Sequence, residues 1–337
     1  MTSTIRLRRE GQVSAPKVRL STPALSVVIV NYRQWDEATR LVEELERSHA
    51  LDSGQAEIVV VDNHSPADRQ GARLRRRPSV SLRRWERNRG YASAINEAAR
   101  LSLGGWLLVL NPDIALPDGF MDGVLELARK LERDEPRTGI VGFPLRNADG
   151  SRQDSVGRLP TLLRVLGGLA WPRTRRKYVR VQGNERREVP WVTGCCLLVR
   201  HDCLRQLGGF DEDFFLYYED VDLCQRARAL GWSVQHEPAL RAAHLKPLQQ
   251  RALTAPLHLC TRHALLTYAA KHWPRWQVTL LAGIVKAESW YRQARARLRG
   301  NIFEACHCAE LRRVVDDVLA IDFAAARQRV EEALNSR

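Results

Sequence analysis

The segment Trp106–Asp113, Trp-Leu-Leu-Val-Leu-Asn-Pro-Asp, sets the tightest limit on what this chain can fold into. Leu107 to Leu110 carry no polar interruption, which suits a strand buried on both faces of a parallel sheet. Pro112 cannot donate to a sheet ladder, so the strand should stop there. Asp113 then stands at the carboxyl edge of a central strand, where open α/β sheets bind ligands. A carboxylate at that edge, beside the small polar Asn111, can hold a divalent cation through oxygen. The plainer alternative is a Pro-Asp turn leading into a helix from Asp118.

The preceding residues set up the rest of such a sheet. Leu25–Val30 reads as a first buried strand ending at Asn31-Tyr32, followed by a helix over 36–48 with Ala38, Leu41, Val42 and Leu45 at helical spacing. Glu57–Val61 is a second buried strand, turning at Asp62-Asn63-His64-Ser65-Pro66. Val80–Trp85 is a weaker strand, Asn88-Arg89-Gly90-Tyr91 a turn, and Ala92–Leu103 a helix. A helix over 118–132 follows the central strand. This alternation predicts right-handed crossovers and a parallel sheet. Asn31, Asp62 and Asp113 thereby gather at strand ends, the layout of a nucleotide site. Neither Gly-x-Gly-x-x-Gly nor Gly-x-x-x-x-Gly-Lys-Ser/Thr occurs, which argues against a dinucleotide cofactor and a P-loop.

The second half is less regular. Residues 146–190 read as a mobile, solvated excursion, with seven basic residues between Arg173 and Arg187: either a soluble loop or an electrostatic guide for a phosphorylated partner. A strand over 189–199 contains Gly194, where a ligand or backbone can come close. His201–Leu207 is a short helix. Beyond it aromatics alternate with carboxylates from Phe210 to Leu223, and a helix opens at Asp220. Glu219 and Asp220 are either helix caps or, placed where the helix dipole favours negative charge, a base. Strands over 234–237 and 240–243 follow, with His244 at the end of the second.

Charge limits the partners. The 337 residues carry a formal net charge of +14, which calls for something anionic: nucleic acid, acidic lipid or a phosphorylated substrate. An aromatic-interleaved basic sheet and a recognition helix are both lacking, which argues against a nucleic-acid partner. Residues 1–22 read as a basic, poorly ordered arm without the apolar core of a secretory signal. No run approaches the ~18 apolar residues of a membrane span. Seven cysteines without framework spacing suit free thiols in a reducing cytoplasm.

The tail, 246–337, reads as helices over 257–271 and 277–298 and one long amphipathic helix over 302–334. Leu311, Val315, Val318, Val330 and Leu334 face inward in this reading, or pair with a second copy as a homodimer. Trp273, Trp276 and Trp290 among Lys286, Arg292, Arg295, Arg297 and Arg299 suit a helix lying in an anionic membrane surface; core packing with a solvated basic end is the alternative. Cys306-His307-Cys308 and His258 with His263 lack zinc-finger spacing.

Taken in order, the motifs resemble the inverting nucleotide-sugar glycosyltransferases of family 2, with the GT-A fold, and are closest to its bacterial rhamnosyltransferase-like branch. The matching pieces are Ser26-Val-Val-Ile-Val-Asn-Tyr32, Val60-Val-Asp-Asn-His-Ser65, Asn88-Arg-Gly-Tyr-Ala-Ser-Ala-Ile-Asn96 and Leu108-Val-Leu-Asn-Pro-Asp113. Trp191-Val-Thr-Gly194, Gly209-Phe-Asp211 and Phe215-Leu-Tyr-Tyr-Glu-Asp-Val-Asp-Leu223 complete the set. The resemblance implies an α/β fold, a Rossmann-like, mostly parallel sheet with flanking helices over 23–245, plus a C-terminal helical extension. It implies a donor site of Asn31, Tyr32, Asp62, Asn88, Gly90, Asn111, Thr193 and Gly194, with Asp62 reading a uracil or thymine edge. Asn111 and Asp113 resemble the family's Asp-x-Asp motif with Asn in first place, leaving Asp113 as the main ligand for Mg²⁺ or Mn²⁺, with His244 completing the shell. Asp220, in Glu219-Asp220, resembles the catalytic base. The processive synthases' Gln-x-x-Arg-Trp motif is missing, which implies single addition. The implied partners are a UDP- or dTDP-sugar donor and a glycan or polyprenyl-diphosphate-linked acceptor, at the inner face of the cell membrane. The competing reading is a non-catalytic sugar-nucleotide-binding scaffold.

Overall fold

The computed structural model describes residues 22–168, 178–179, 183–246 and 254–335. The first half alternates as expected: β1 (Leu25–Asn31), α1 (Trp35–Leu45), α2 (His49–Asp52), β2 (Ala56–Asp62), α3 (Arg69–Leu74), β3 (Val80–Arg84), α4 (Tyr91–Leu101) and β4 (Trp106–Leu110). Then come β5 (Ile114–Ala115), α5 (Phe120–Asp134), β6 (Thr138–Gly142), β7 (Leu145–Arg146), β8 (Arg152–Gln153), β9 (Val156–Gly157), α6 (Leu162–Gly168), β10 (Arg187–Glu188), β11 (Trp191–Val192), β12 (Cys196–Arg200) and α7 (His201–Gln206). The chain continues through α8 (Glu219–Ala229), β13 (Ser233–His236), β14 (Ala242–His244), α9 (Ala255–His272), α10 (Arg275–Leu298), α11 (Ile302–Leu319) and α12 (Phe323–Asn335).

An eight-stranded sheet runs β10-β13-β6-β12-β4-β1-β2-β3. β4, β1, β2 and β3 are parallel neighbours, as are β13 and β6, whereas β12 lies antiparallel between β4 and β6. Successive side chains leave opposite faces, so Val27, Ile29, Ile58, Val60, Leu108 and Leu110 pack under α1 and α5. Val28, Val30, Val59, Val61, Leu107 and Val109 pack under α4 and α8. Both faces are covered, which is why these strands have no polar alternation. A small sheet, β5-β14-β7-β8, sits beside the carboxyl edge. A third apolar cluster joins α9 to α12 and reaches Leu162 and Phe215.

Three expectations change. The strand over 189–199 is two strands in different sheets, β11 and β12, separated at Thr193-Gly194-Cys195, because Thr193 N–H donates to Ser155 O and Asn111 N–H to Cys195 O. Residues 146–159 are not a solvated excursion: they form β7, β8 and β9, with Gln153, Ser155 and Val156 buried. The helix over 302–334 is two, broken at Ile321, whose φ is +63°, with Asp322 Oδ1 capping α12 by accepting Ala325 N–H at 3.0 Å. Neither Gly nor Pro marks that break in the sequence. Leu311, Val315, Val318 and Val330 do turn inward, against α9 and α10. The arm over 1–21 and the arginine-rich 171–177 lie outside the described residues; farther on, Arg186 pairs with Glu135 and Arg187 enters β10.

Candidate active site

Asn31 and Asp62 are register partners at the ends of β1 and β2, and both are fully buried. Asn31 Nδ2 donates to Asp62 Oδ1 at 2.9 Å and to Ser65 Oγ at 3.1 Å. Arg84, opposite Asp62 on β3, donates from Nε to Oδ2 at 3.0 Å and from Nη2 to Ser65 O at 2.9 Å. The buried carboxylate is thus charge-paired, as burial requires. Tyr32 is half-buried, with the Arg33 guanidinium 5.2 Å from its ring centre.

The turn before α4 packs onto this edge. Asn63 Nδ2 donates to Gly90 O at 3.0 Å and Asn63 Oδ1 accepts Arg89 N–H at 2.8 Å, while Asn88 Oδ1 accepts Gly90 N–H at 2.9 Å. Gly90 has φ +85°, and a Cβ there would lie 2.6 Å from Phe215 O, so no side chain fits. Tyr91 N–H donates to that same carbonyl at 2.8 Å.

Tyr91 is the connector that the sequence reading left out of its site. Its Oη donates to Asn111 Oδ1 at 2.8 Å and lies 3.2 Å from Gly194 O. Burial, and then the negative charges of Glu219, Cys195, Asp220 and Asp113, push its pKa well up, so it remains a neutral donor. Gly194 N–H in turn donates to Asp220 Oδ2 at 3.0 Å, and Val221 N–H to Oδ1 at 2.9 Å. A Cβ on Gly194 would stand 3.3 Å from Asp220 Cβ, which explains the glycine. Thr193 is half-buried and anchors the turn through its backbone.

The small sheet brings Asp113 to His244. β14 pairs antiparallel with β5, setting His244 opposite Ile114, and Leu245 N–H donates to Asp113 O at 2.9 Å. His244 Nε2 lies 3.3 Å from Asp113 Oδ1, within ionic reach but not aligned as a hydrogen bond. Burial lowers the imidazole pKa, but the Cys195 sulfur and the Asp113 carboxylate outweigh it and push it up to about 10. Gln153, on β8, puts its amide 3.0 Å from His244 Nδ1. An imidazolium carries N–H on both nitrogens, which requires the Gln153 amide to turn Oε1 toward Nδ1. His244 Nε2 has no hydrogen-bond partner among the described residues. A buried carboxylate and an imidazole with an orphaned ring nitrogen fit a divalent cation whose other positions come from a ligand. Asn111 Oδ1 accepts from Tyr91 in this arrangement, and Asp113 is the charged oxygen donor of the two. Among the described residues no three His, Cys, Asp or Glu side chains form a closed metal cage, at Cys306-His307-Cys308 or elsewhere.

Glu219 and Asp220 open α8, and both are buried. The two residues before them, Tyr217 and Tyr218, have φ of +74° and +65°. Arg33 and His64, just beyond β1 and β2, are also left-handed, with φ of +58° and +69°. Such strain costs on the order of 1 kcal/mol or more per residue and gathers at functional sites. Asp222 is committed elsewhere: its Oδ2 accepts Arg226 Nε at 2.6 Å and its Oδ1 lies 2.8 Å from His272 Nε2. Sequence reasoning missed Arg84, Tyr91 and Gln153. Tyr91 was legible in its motif and Arg84 at its strand end, but the polar run around Gln153 had no periodicity to read.

Residues 26–208 match Glycosyl transferase family 2. The chain is 34% identical over 245 residues to an N-acetylglucosaminyl-diphospho-decaprenol L-rhamnosyltransferase of Mycobacterium tuberculosis, spanning 67% of this chain and 77% of that protein. It is 26% identical over 249 residues to the low-salt glycan biosynthesis hexosyltransferase Agl10 of Haloferax volcanii, spanning 67% of this chain and 68% of that one. Two solved structures share the fold at 17% identity. One is GalNAc-T7 with UDP, GalNAc and Mn²⁺, at TM-score 0.52 over 74% of this chain and 51% of that one. The other is the mannosyltransferase PcManGT of Pyrobaculum calidifontis with GDP-Man and Mn²⁺, at TM-score 0.50 over 94% and 88%. With the mixed α/β sheet, its ligand edge and the C-terminal helices, these likenesses make the chain a glycosyltransferase of the GT-A fold: it belongs to glycosyl transferase family 2, beside rhamnosyltransferase-type relatives.

Proposed function

We propose that the protein moves a single sugar, rhamnose being the first candidate, from a UDP- or dTDP-sugar to a hydroxyl of a lipid-linked or glycan acceptor, with inversion. The observation that carries this reading is the hydrogen-bonded path from Asp220 through Gly194 and Tyr91 to Asn111, at the strand end that also bears Asp113. It sets a candidate base and a candidate metal-binding pair on two sides of one edge. Asp220 takes the proton of the acceptor hydroxyl as that oxygen attacks, since an alcohol is otherwise a poor nucleophile. Asn31, Tyr32, Asp62, Asn88 and Gly90 hold the nucleoside, with Arg84 fixing the Asp62 carboxylate, and Thr193 and Gly194 border the sugar. Mg²⁺ or Mn²⁺ on Asp113 and His244 would offset the charge that grows on the leaving diphosphate. Gln153, accepting from His244 Nδ1, orients the ring so that Nε2 can bind the cation once it gives up its proton. One base and one leaving group on opposite faces of the sugar give single displacement without a covalent intermediate. The relative's name, with its decaprenol-linked substrate and rhamnosyl transfer, supports the acceptor and donor class.

The test is turnover against UDP-, dTDP- and GDP-sugars with a polyprenyl-diphosphate-linked sugar, reading the product's anomeric configuration by NMR. Asp220→Asn should lower kcat by ~10² or more, as expected for loss of a general base, and leave donor Kd nearly unchanged. Turnover within a few-fold of the parent would move the base to Glu219. Donor binding without turnover by the parent would favour the non-catalytic scaffold.

A further inference from the structure

Helix α10 has two apolar faces, and the fold uses one. Val278, Leu281, Ala282 and Val285 are buried against α9 and α11, with Ser289, Gln293 and Ala296 continuing that side. On the opposite side Trp276, Leu280, Gly283, Ala287, Trp290, Ala294 and Leu298 recur every three or four residues, and every one is exposed. Trp276 is 65% exposed, Trp290 59% and Leu298 89%. The first turn of α11, which follows directly, also exposes Ile302 and Phe303, 77% and 52%. No charged residue interrupts a stripe of roughly 33 Å. A lone exposed leucine needs no explanation, but a continuous ridge of this length does.

The charges beside the ridge say what covers it. Arg275, Lys286, Arg292, Arg295 and Arg297 lie along α10, with Arg299 at its end, and the helix has one acid, Glu288. Glu288 is turned toward His258 and Arg262. Beside the C-terminal half of the ridge, Tyr291, Arg292, Arg295 and Arg299 line a groove of about 370 Å³ together with Glu288 and Glu304, whose carboxylates are paired with Arg262 and Arg292. Arg292 is paired with Glu304, while Arg295 and Arg299 make no ion pair among the described residues. An apolar ridge with one tryptophan at its N-terminal end and another past its middle, and a basic rim, matches an acidic bilayer surface, the indoles at headgroup depth and the guanidiniums on phosphate. Two copies laid ridge to ridge would instead bring like charges together. No helix among the described residues is long and apolar enough to cross a membrane, and the inner face of α10 is already packed, so the helix lies along the surface.

We propose that the outer face of α10, together with Ile302 and Phe303, docks this protein on an anionic lipid bilayer. The test is flotation of the full chain with vesicles of phosphatidylcholine containing about 30% phosphatidylglycerol, at low and high salt. The parent should float with the acidic vesicles and lose that binding as salt rises. The triple variant Trp276→Ser, Leu280→Ser, Leu298→Ser, which spares Trp290 because the Arg312 guanidinium lies 3.7 Å from its ring centre, should bind on the order of tenfold less, with its thermal melt close to the parent's because those side chains are exposed. Arg295→Glu with Arg299→Glu, which leaves the ridge intact, should remove the salt-sensitive part. No flotation by the parent, or equal flotation by the triple variant, overturns the proposal. A parent dimer that the triple variant converts to monomer overturns it too, by assigning the face to a second copy. The vesicles contain neither donor nor acceptor, so failure here leaves the transferase reading untouched. Turnover on a water-soluble acceptor should be the same in the triple variant and the parent.

Discussion

Asn111 and Asp113 stand two residues apart at one strand end, yet they face different partners. Asn111 Oδ1 accepts from Tyr91, whereas Asp113 faces His244 across the small sheet. The pair therefore divides its work: Asn111 tethers Tyr91, and Asp113 carries the charge that would hold a cation. Asp113→Ala should abolish the metal-dependent part of nucleoside-diphosphate binding, and isothermal titration with and without EDTA reads this directly. A variant whose affinity still falls on chelation, as the parent's does, would place the metal elsewhere. Asp62 contrasts with Asp113. Its carboxylate is enclosed by Asn31, Ser65 and Arg84, so its charge is spent first on holding three strand ends together.

At the scale of elements, α12 reaches back across the whole chain to the turn before α4. Arg327 Nη2 donates to Arg89 O and, at 3.1 Å, to Ser93 Oγ, and Asn335 Nδ2 donates to Asn88 O at 3.1 Å. Arg87 and Arg327 both pair with Glu331. The last helix thus straps the turn carrying Asn88 and Gly90. Losing these bonds frees carbonyls on a surface turn, a cost of about 1 kcal/mol, or roughly fivefold. Arg327→Ala should weaken donor affinity by that factor with kcat little changed, and Arg327→Lys should recover part of it. Unaltered donor affinity in a folded Arg327→Ala protein would leave α12 with a packing role alone.

Across the whole molecule, buried histidines set the response to acid. Burial, then Arg152 and Arg187, bring His236 down to about 4; burial, then Arg327, bring His263 down to about 3. Between an unfolded pKa near 6.5 and these values the unfolded chain binds more protons than the native one. Stability therefore falls as pH drops through 6.5 toward 4, by up to about 1.4 kcal/mol per pH unit for each histidine. His244 acts oppositely: with its native pKa raised to about 10, stability falls as pH rises from 6.5 toward 10. Urea denaturation of the parent and His263→Gln between pH 4 and 6.5 checks the acid limb; the variant's slope should be shallower. Equal slopes would mean that His263 does not contribute.

What the sequence determined by itself was the part governed by local pattern. Unbroken apolar runs at 27–30, 58–61 and 107–110 required strands covered on both faces, and such strands are read by composition alone. Their polar ends, Asn31, Asp62 and Asp113, followed from the runs, and so did the edge where a ligand binds. Tertiary structure decided what depends on segments distant in sequence. His244 meets Asp113 only because β14 pairs with the two-residue β5, and Gln153 meets His244 only through β8. Strands that short have no periodicity to reveal them, so the polar run around Gln153 looked like a loop. The split at Ile321 was equally hidden, because a left-handed isoleucine, 63% exposed, carries no turn signature in the sequence. The exposed ridge of α10 was half legible: its tryptophans and arginines stood out in the sequence. Which of two apolar faces meets the core was settled only when α9 and α11 covered one of them.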